Sequence, residues 1–282
     1  MNETESKIRV TLPEYIYNFI INDEKDFEIN KNRLCNMIFE MYGEDVNIEE
    51  HMPKTKYNKI LQFNLSNNNL DMFVDISTRK TIENKADYFR KLFFMYCDQP
   101  KYKREQQICN STVIMTEGAI KSRKKLKIKY KDSYRVVEPY FIACENGETR
   151  NYLFCYCYNN QEYRNYRLIN IKGVSILREE FEHYNEEYIK NVRDNFDPYL
   201  SYGSIVKVKI SRHGQELMEK VVINRPKLME QEGDIFTFQC SDLKAKLYFP
   251  QFLGSAEIIE PQELREWFKQ EFEKAAEKYR GK

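Results

Sequence analysis

The sequence lacks any apolar run of about 18 residues, the length a helix needs to span a bilayer. No transmembrane helix is therefore indicated. Its first ten residues, MNETESKIRV, also lack the apolar stretch of a secretory signal. Histidine is scarce: His51, His183 and His213 lie in three unrelated segments, each in polar company. No HExxH, glycine-rich phosphate loop, nucleophile elbow or paired-carboxylate pattern appears. The expectation is a protein that is not an enzyme and that uses no cofactor and no metal. The seven cysteines are odd in number and lack framework spacing, which points to a reducing, cytoplasmic setting. Cys155 and Cys157 would share one face of a strand, but no histidine or second cysteine pair completes a four-ligand zinc set. They read as small buried core residues. Net charge is almost absent too, at +1 from 45 basic and 44 acidic residues.

What the chain does have is length, apolar content and an uneven placement of its charge. Its 282 residues suffice for about two domains or three small ones. Forty-one percent apolar residues can build cores, and 32% charged residues indicate solubility. The basic residues are not evenly spread. Residues 119–135, AIKSRKKLKIKYKDSYR, hold eight Lys/Arg and one acidic residue. Aromatic and basic side chains interleave in the strands that follow, a composition suited to a polyanion with stackable bases.

The first hundred residues contain a repeat. KIRVTL (7–12) corresponds to KILQFNL (59–65), and NKNRLCNMIFEMY (30–42) to NKADYFRKLFFMY (84–96). Each unit reads as strand, helix, helix. Ile8, Val10 and Leu12 alternate with Arg9 and Thr11. The first helix starts near Pro13 and carries Tyr15, Ile16, Phe19 and Ile20 at three-four spacing. Asn30 is placed to cap the next helix, whose inward stripe is Leu34, Met37, Ile38 and Met41. The second unit offers Leu70, Phe73 and Val74, then Phe89, Leu92, Phe93 and Tyr96. Neither unit can bury its apolar faces alone; two can, by pairing their strands antiparallel in front of four helices. This arrangement resembles the ribbon-helix-helix family, here with both copies in one chain. The resemblance implies that outward strand residues enter a DNA major groove. The matching positions are Arg9 and Thr11, then Gln62 and Asn64, types that can hydrogen-bond base edges. Alternating polar residues on any half-exposed strand look the same. The nearby acids Glu14, Asp23, Glu24, Asp26 and Glu28 oppose backbone contact and favour a retained scaffold.

Residues 98–118 are polar, carry Pro100 and show no strong period; a short helix is expected around 112–123. Five strands follow. They are read at Lys125–Lys131, Tyr134–Ala143 (with Pro139 near an edge or bulge), Asn151–Tyr158, Tyr163–Leu168 and Ile171–Leu177. Glu145-Asn146-Gly147-Glu148 reads as a hairpin turn. The third strand is apolar on both faces, so it lies between layers or inside a barrel. In the first, Leu126, Ile128 and Tyr130 face one way and Lys125, Lys127, Lys129 and Lys131 the other. Those lysines either guard an exposed edge or capture a polyanion.

This order of residues resembles the WYL domain over about fifty-five residues. The matching positions are Tyr130, Arg135 with Glu138-Pro139, Asn151-Tyr152-Leu153, and Arg164-Asn165-Tyr166-Arg167-Leu168-Ile169-Asn170-Ile171. Two departures stand out: Asn151 replaces the family's tryptophan, and Ile169-Asn170 replaces an Asp-Arg pair. The resemblance implies a small Sm- or SH3-like β-barrel that senses nucleic acid or nucleotide ligands. The nucleic-acid-binding residues it implies are Lys129, Tyr130, Arg135, Tyr152, Arg164 and Arg167. Arginine supplies a donor fork for phosphates and base edges, tyrosine a stacking face. Arg164 and Arg167 point to opposite sides of a regular strand, so a ligand on one face meets only one of them and the other is left a structural role. Tyr130 and Tyr152 suit either a core or a stacking role.

Gly254-Ser255-Ala256-Glu257, Glu260-Pro261 and Leu264-Arg265 resemble the extension that follows many WYL domains. Pro261 followed by Leu264, Trp267, Phe268, Phe272 and Ala275 makes a long amphipathic helix, with Trp267 as a core or interface residue. The whole layout resembles the WYL accessory proteins encoded beside type VI-D CRISPR RNA-targeting nucleases. The expected fold is α+β and multi-domain: a tandem ribbon-helix-helix module (βαα)×2 at 1–98, a linker at 99–118, a WYL β-barrel at 119–182, a linker helix at 183–203 and an α+β dimerisation module at 204–282. The resemblance implies binding of single-stranded RNA, enhancement of an RNA-guided CRISPR nuclease, and a homodimer. The alternative is a ligand-sensing transcription regulator whose paired strands bind duplex DNA; a protein-interaction scaffold is a third reading.

Overall fold

The computed structural model describes residues 6–53, 55–144 and 150–280. The two alternating segments near the N-terminus, Lys7–Leu12 (β1) and Lys59–Asn64 (β2), pair antiparallel, with Val10 opposite Leu61 and Arg9 opposite Gln62. Period-two alternation turns Ile8, Val10, Leu12, Leu61 and Phe63 inward. They bury against helices Glu14–Asp26 (α1), Lys31–Tyr42 (α2), Asn67–Lys80 (α3) and Lys85–Asp98 (α4). Asn30 and Asn84, equivalent in the repeat, cap α2 and α4 by accepting from the Arg33 and Asp87 backbone N–H groups. Strand, helix, helix thus occurs twice, as its periodicity predicts. Tyr15, Phe19 and Val74, read as inward, are instead exposed. Tyr15 sits edge-on to Phe94, and Phe19 lies under the Arg104 guanidinium.

Residues 99–118, read as a linker, are mostly helical: Lys101–Ile108 (α5) and Asn110–Ser122 (α6). The central strands are Lys124–Tyr130 (β3), Ser133–Cys144 (β4), Asn151–Cys157 (β5), Glu162–Arg167 (β6) and Ile171–Glu180 (β7). All five expected strands are present. The hairpin turn expected at 145–148 lies outside the described residues. The spatial order is β6-β5-β4-β3-β7. A closed barrel was expected; among the described residues no ladder joins β6 to β7. The sheet rolls far enough for Tyr130 of β3 to meet Tyr166 of β6, ring centroids 4.6 Å apart. A 3-10 turn, Leu168–Asn170, intervenes before β7 crosses to β3, so the curl stops short of hydrogen-bonded closure. A register shift between Pro139 and Phe141 bends β4.

Both faces of this sheet are covered, as the apolar third strand requires. The inner face (Leu126, Ile128, Val137, Leu153, Cys155, Cys157, Tyr166) joins one continuous core with the N-terminal helices. The outer face carries Tyr140, Phe141, Phe154 and Tyr163 against Ile189 and Val192 of helix Glu186–Asp194 (α7). Strands Ile205–Ile210 (β8), Lys227–Glu232 (β9), Ile235–Gln239 (β10) and Ala256–Glu260 (β11) form a further sheet, ordered β11-β8-β10-β9. Its core is separate: Val206, Val208, Phe236 and Phe238 pack on Tyr248, Phe249 and Phe252 and on Leu264 and Phe268 of helix Gln262–Tyr279 (α8). Trp267 packs on this core from its margin, whereas Ala275, read as part of the apolar stripe, is exposed. The molecule is mixed α+β, with helices and strands segregated into three sheets and their covers.

Candidate nucleic-acid interface

From Arg123, just before β3, basic residues recur at every second position along the outer face, and three successive ones meet an aromatic ring. Arg123, at the end of α6, lies 4.7 Å from the Tyr184 ring centroid. Lys125 lies 4.0 Å from that of Tyr158, and Lys127 lies 4.7 Å from that of Tyr134. Lys129 continues the row, directly opposite Tyr134 on β4 and Gly173 on β7. Tyr134 is 59% exposed, and on the other side of Lys129 Gly173 has no side chain to hide it. The product is a stripe of cations interleaved with ring faces, a pattern that attracts phosphates and stacks bases. Lys125 departs from the sequence reading: it is buried under Tyr158 and pairs with Glu182 at 2.6 Å. Lys127 was among the lysines read as guarding an edge or capturing a polyanion, whereas Arg123, Tyr134 and Tyr184 had not been singled out. Their signal was the spacing of 123, 125, 127 and 129, but their aromatic partners come from β4 and from the segment after β7, which spacing does not reveal.

The six residues named from the sequence divide between the two faces. Register puts Tyr130, Arg135 and Arg164 on the inner face, and Lys129, Tyr152 and Arg167 on the outer. Tyr130 stacks on Tyr166, whose hydroxyl donates to Cys157 Sγ at 3.1 Å. Arg135 is half-buried and donates to the Tyr134 carbonyl at 3.2 Å. Arg164 is exposed and paired with Glu162 through Nε at 2.8 Å. Tyr152 packs near Phe196, which follows α7 in the chain. Arg167 is 27% exposed, with Nε 3.9 Å from Glu105 Oε1. In the N-terminal module Arg9, Gln62 and Asn64 are exposed and Thr11 is half-exposed. With Lys7 and Ile60 they form the outward face of the β-ribbon. The acids near this ribbon have internal partners. Asp23 pairs with Arg104, Glu14 with Lys59, Asp26 with Lys101, and Glu28 with Lys172, while Glu24 accepts from the Lys31 N–H.

Two buried carboxylates organise the surroundings. Glu138 accepts from the Tyr140 and Tyr158 hydroxyls and from the Glu182 and His183 N–H groups. Burial opposes its ionisation, but these hydrogen bonds prevail and hold its carboxyl below the ordinary glutamate range. His183, read as a lone surface residue, stacks on Tyr156 at 3.9 Å with its Nδ1 3.4 Å from Glu138. The other is Glu105 on α5. Its Oε2 accepts from the Asn151 N–H at 2.6 Å and from Asn151 Nδ2 at 2.7 Å. Burial pushes its carboxyl up, partly offset by those bonds and by Arg167. Asn151 also donates to the Tyr102 carbonyl and accepts from Gln106 Nε2. The residue standing where the WYL pattern has tryptophan is therefore the one that fastens α5 to the sheet.

Residues 113–176 match the WYL domain model. The crystal structure of a CRISPR Cas-related protein superposes on 97% of this chain and 94% of its own, with a TM-score of 0.73 and 16% identity. The whole three-sheet architecture is thus a known fold. Proteasome accessory factor B/C (PafBC) of Arthrobacter aurescens matches at a TM-score of 0.31 and 12% identity, over 98% of this chain and 50% of its own. No curated protein matches the sequence. Among the described residues no helix is long and apolar enough to cross a membrane.

Proposed function

We propose that this protein is a non-catalytic, cytoplasmic binder of single-stranded RNA that modulates, by enhancing it, an RNA-guided RNA-cleaving CRISPR effector. The observation that carries this reading is the outer stripe of Arg123, Lys127 and Lys129 with Tyr184 and Tyr134. Exposed rings between cations suit unpaired bases better than a duplex, whose bases are stacked on one another. The WYL match and the fold shared with a CRISPR Cas-related protein support the same class of partner. The chain divides, on this reading, into the ribbon module at 1–98, the WYL domain at 119–182 and a dimerisation module at 204–282. Support for the last is an apolar groove of about 560 Å³ beside edge strand β11, lined by Phe249, Leu253, Ile258, Phe268 and Phe272.

Binding of a fluorescent oligouridylate at several salt concentrations tests the proposal. Affinity should fall steeply with salt. Tyr134→Ala should cost about 1–3 kcal/mol, with Tyr134→Phe near wild type because the ring remains. Lys127→Glu with Lys129→Glu should abolish binding. Indifference to all of these would remove the stripe as the site, and the Arg135→Glu and Arg167→Glu variants then ask whether the residues of the WYL pattern bind instead.

A second reading has its own observation. The ribbon's outward face, Lys7, Arg9, Thr11, Gln62 and Asn64, is uncovered among the described residues, and its neighbouring acids are occupied elsewhere. It suits a DNA-binding regulator. Duplex DNA binding that Arg9→Ala with Gln62→Ala abolishes would favour it; an unaffected duplex complex would count against it.

A further inference from the structure

Glu105 and Arg167 face each other in an unfinished contact. Glu105 is almost wholly buried, and Arg167 Nε is buried as well. Glu105 Oε1 and Arg167 Nε stand 3.9 Å apart, and neither has a hydrogen-bond partner among the described residues. That separation is too long for a hydrogen bond but well within reach of charge attraction. The reason for the gap is visible in the other oxygen. Oε2 is tethered by both the backbone and side-chain nitrogens of Asn151, so the carboxylate cannot swing to its neighbour. An arginine fork prefers two parallel bonds to a planar or phosphate oxyanion. Here it is held by attraction and left without its bond at Nε.

We propose that Glu105 is the built-in competitor for Arg167: a polyanion that engages this guanidinium must draw it away from the tethered carboxylate. The inference rests on the reading of the protein as an RNA binder, and it names the residue that sets how tightly the WYL-pattern Arg167, on β6 and apart from the β3 stripe, holds a ligand. Glu105→Gln keeps an acceptor for Asn151 and removes the charge. It should tighten binding about tenfold at low salt and steepen the salt dependence by about one unit.

The test is a double-mutant cycle of Glu105→Gln and Arg167→Gln in the full chain, read with two probes. One is a twelve-residue oligouridylate; the other is inorganic tripolyphosphate, which has no bases. The gain from Glu105→Gln should vanish in the Arg167→Gln background with both probes. In the wild-type protein, tripolyphosphate should also shift the Arg167 Nε–H resonance, a readout that survives if Glu105→Gln fails to fold. An additive cycle in folded variants, or an unmoved Nε–H resonance, overturns the inference. Oligouridylate that does not bind, alongside a coupled tripolyphosphate cycle, would sink the RNA reading and leave the competitor role standing.

Discussion

Glu138 is fully buried, yet four protein groups donate to it, and their sum outweighs the cost of desolvation. A carboxyl whose folded-state pKa is depressed adds stability above its unfolded value, about 4.3. That contribution disappears as pH falls through the lower folded value. Wild-type protein should therefore lose unfolding free energy on acidification below about pH 4.3, and Glu138→Gln, weaker at neutral pH, should show a flatter acid limb. Equal acid limbs in urea titrations of the two would refute this account. The residue also marks a limit of sequence reading. Glu138 was visible as part of an Arg-x-x-Glu-Pro pattern, but beyond Tyr140 of its own strand its donors arrive from Tyr158, just after β5, and from the segment after β7. His183 was unreadable for the same reason: only the fold lays it on Tyr156. By contrast, the burial of Cys155 and Cys157 followed directly from alternation in a two-sided strand.

At the scale of elements, α5 carries more than its composition promised. LysTyrLysArgGluGlnGlnIle has no apolar period, which is why it reads as linker. Its two central residues look in different directions. Arg104 grips Asp23 of α1 through Nε at 2.6 Å and Nη2 at 3.1 Å, with Tyr96 donating to the same carboxylate. Glu105 takes hold of Asn151 on β5. The helix is thus a polar bolt between the ribbon module and the central sheet, held by charge rather than by an apolar stripe, and pattern reading sees only stripes. Removing one partner of a buried pair strands the other. Arg104→Met should cost about 3–5 kcal/mol in chemical denaturation, and adding Asp23→Leu should recover much of it. No recovery in the double variant would mean that the arginine acts through packing on Phe19 and Tyr96 rather than through its charge. The repeated βαα units and the five central strands were legible because each has an apolar period of its own. The incomplete closure of the sheet was not, since it depends on a three-residue 3-10 turn between β6 and β7.

Across the whole molecule, the cores do not follow the three sheets one for one. Buried apolar residues run without interruption from Ile8 of β1 to Ile171 of β7, so the ribbon module and the central sheet share one interior. The C-terminal sheet has its own, centred on Phe236, Phe238, Tyr248 and Phe249. Its attachments to the rest are polar: Lys244 to Asp197 at 3.0 Å, Asn165 to the Asp197 and Pro198 carbonyls, and the Ser241 N–H to Ser201 Oγ. Contiguous apolar packing is what makes regions open together, and polar seams are where cooperativity breaks. Native-state hydrogen exchange should therefore give amides of β1, α4 and β5 one common opening free energy, with those of β8 and β10 forming a second unit. Arg104→Met should lower the first value and leave the second unchanged. Were β1 to open well before β5 in the wild-type protein, the shared interior would not be acting as one cooperative body.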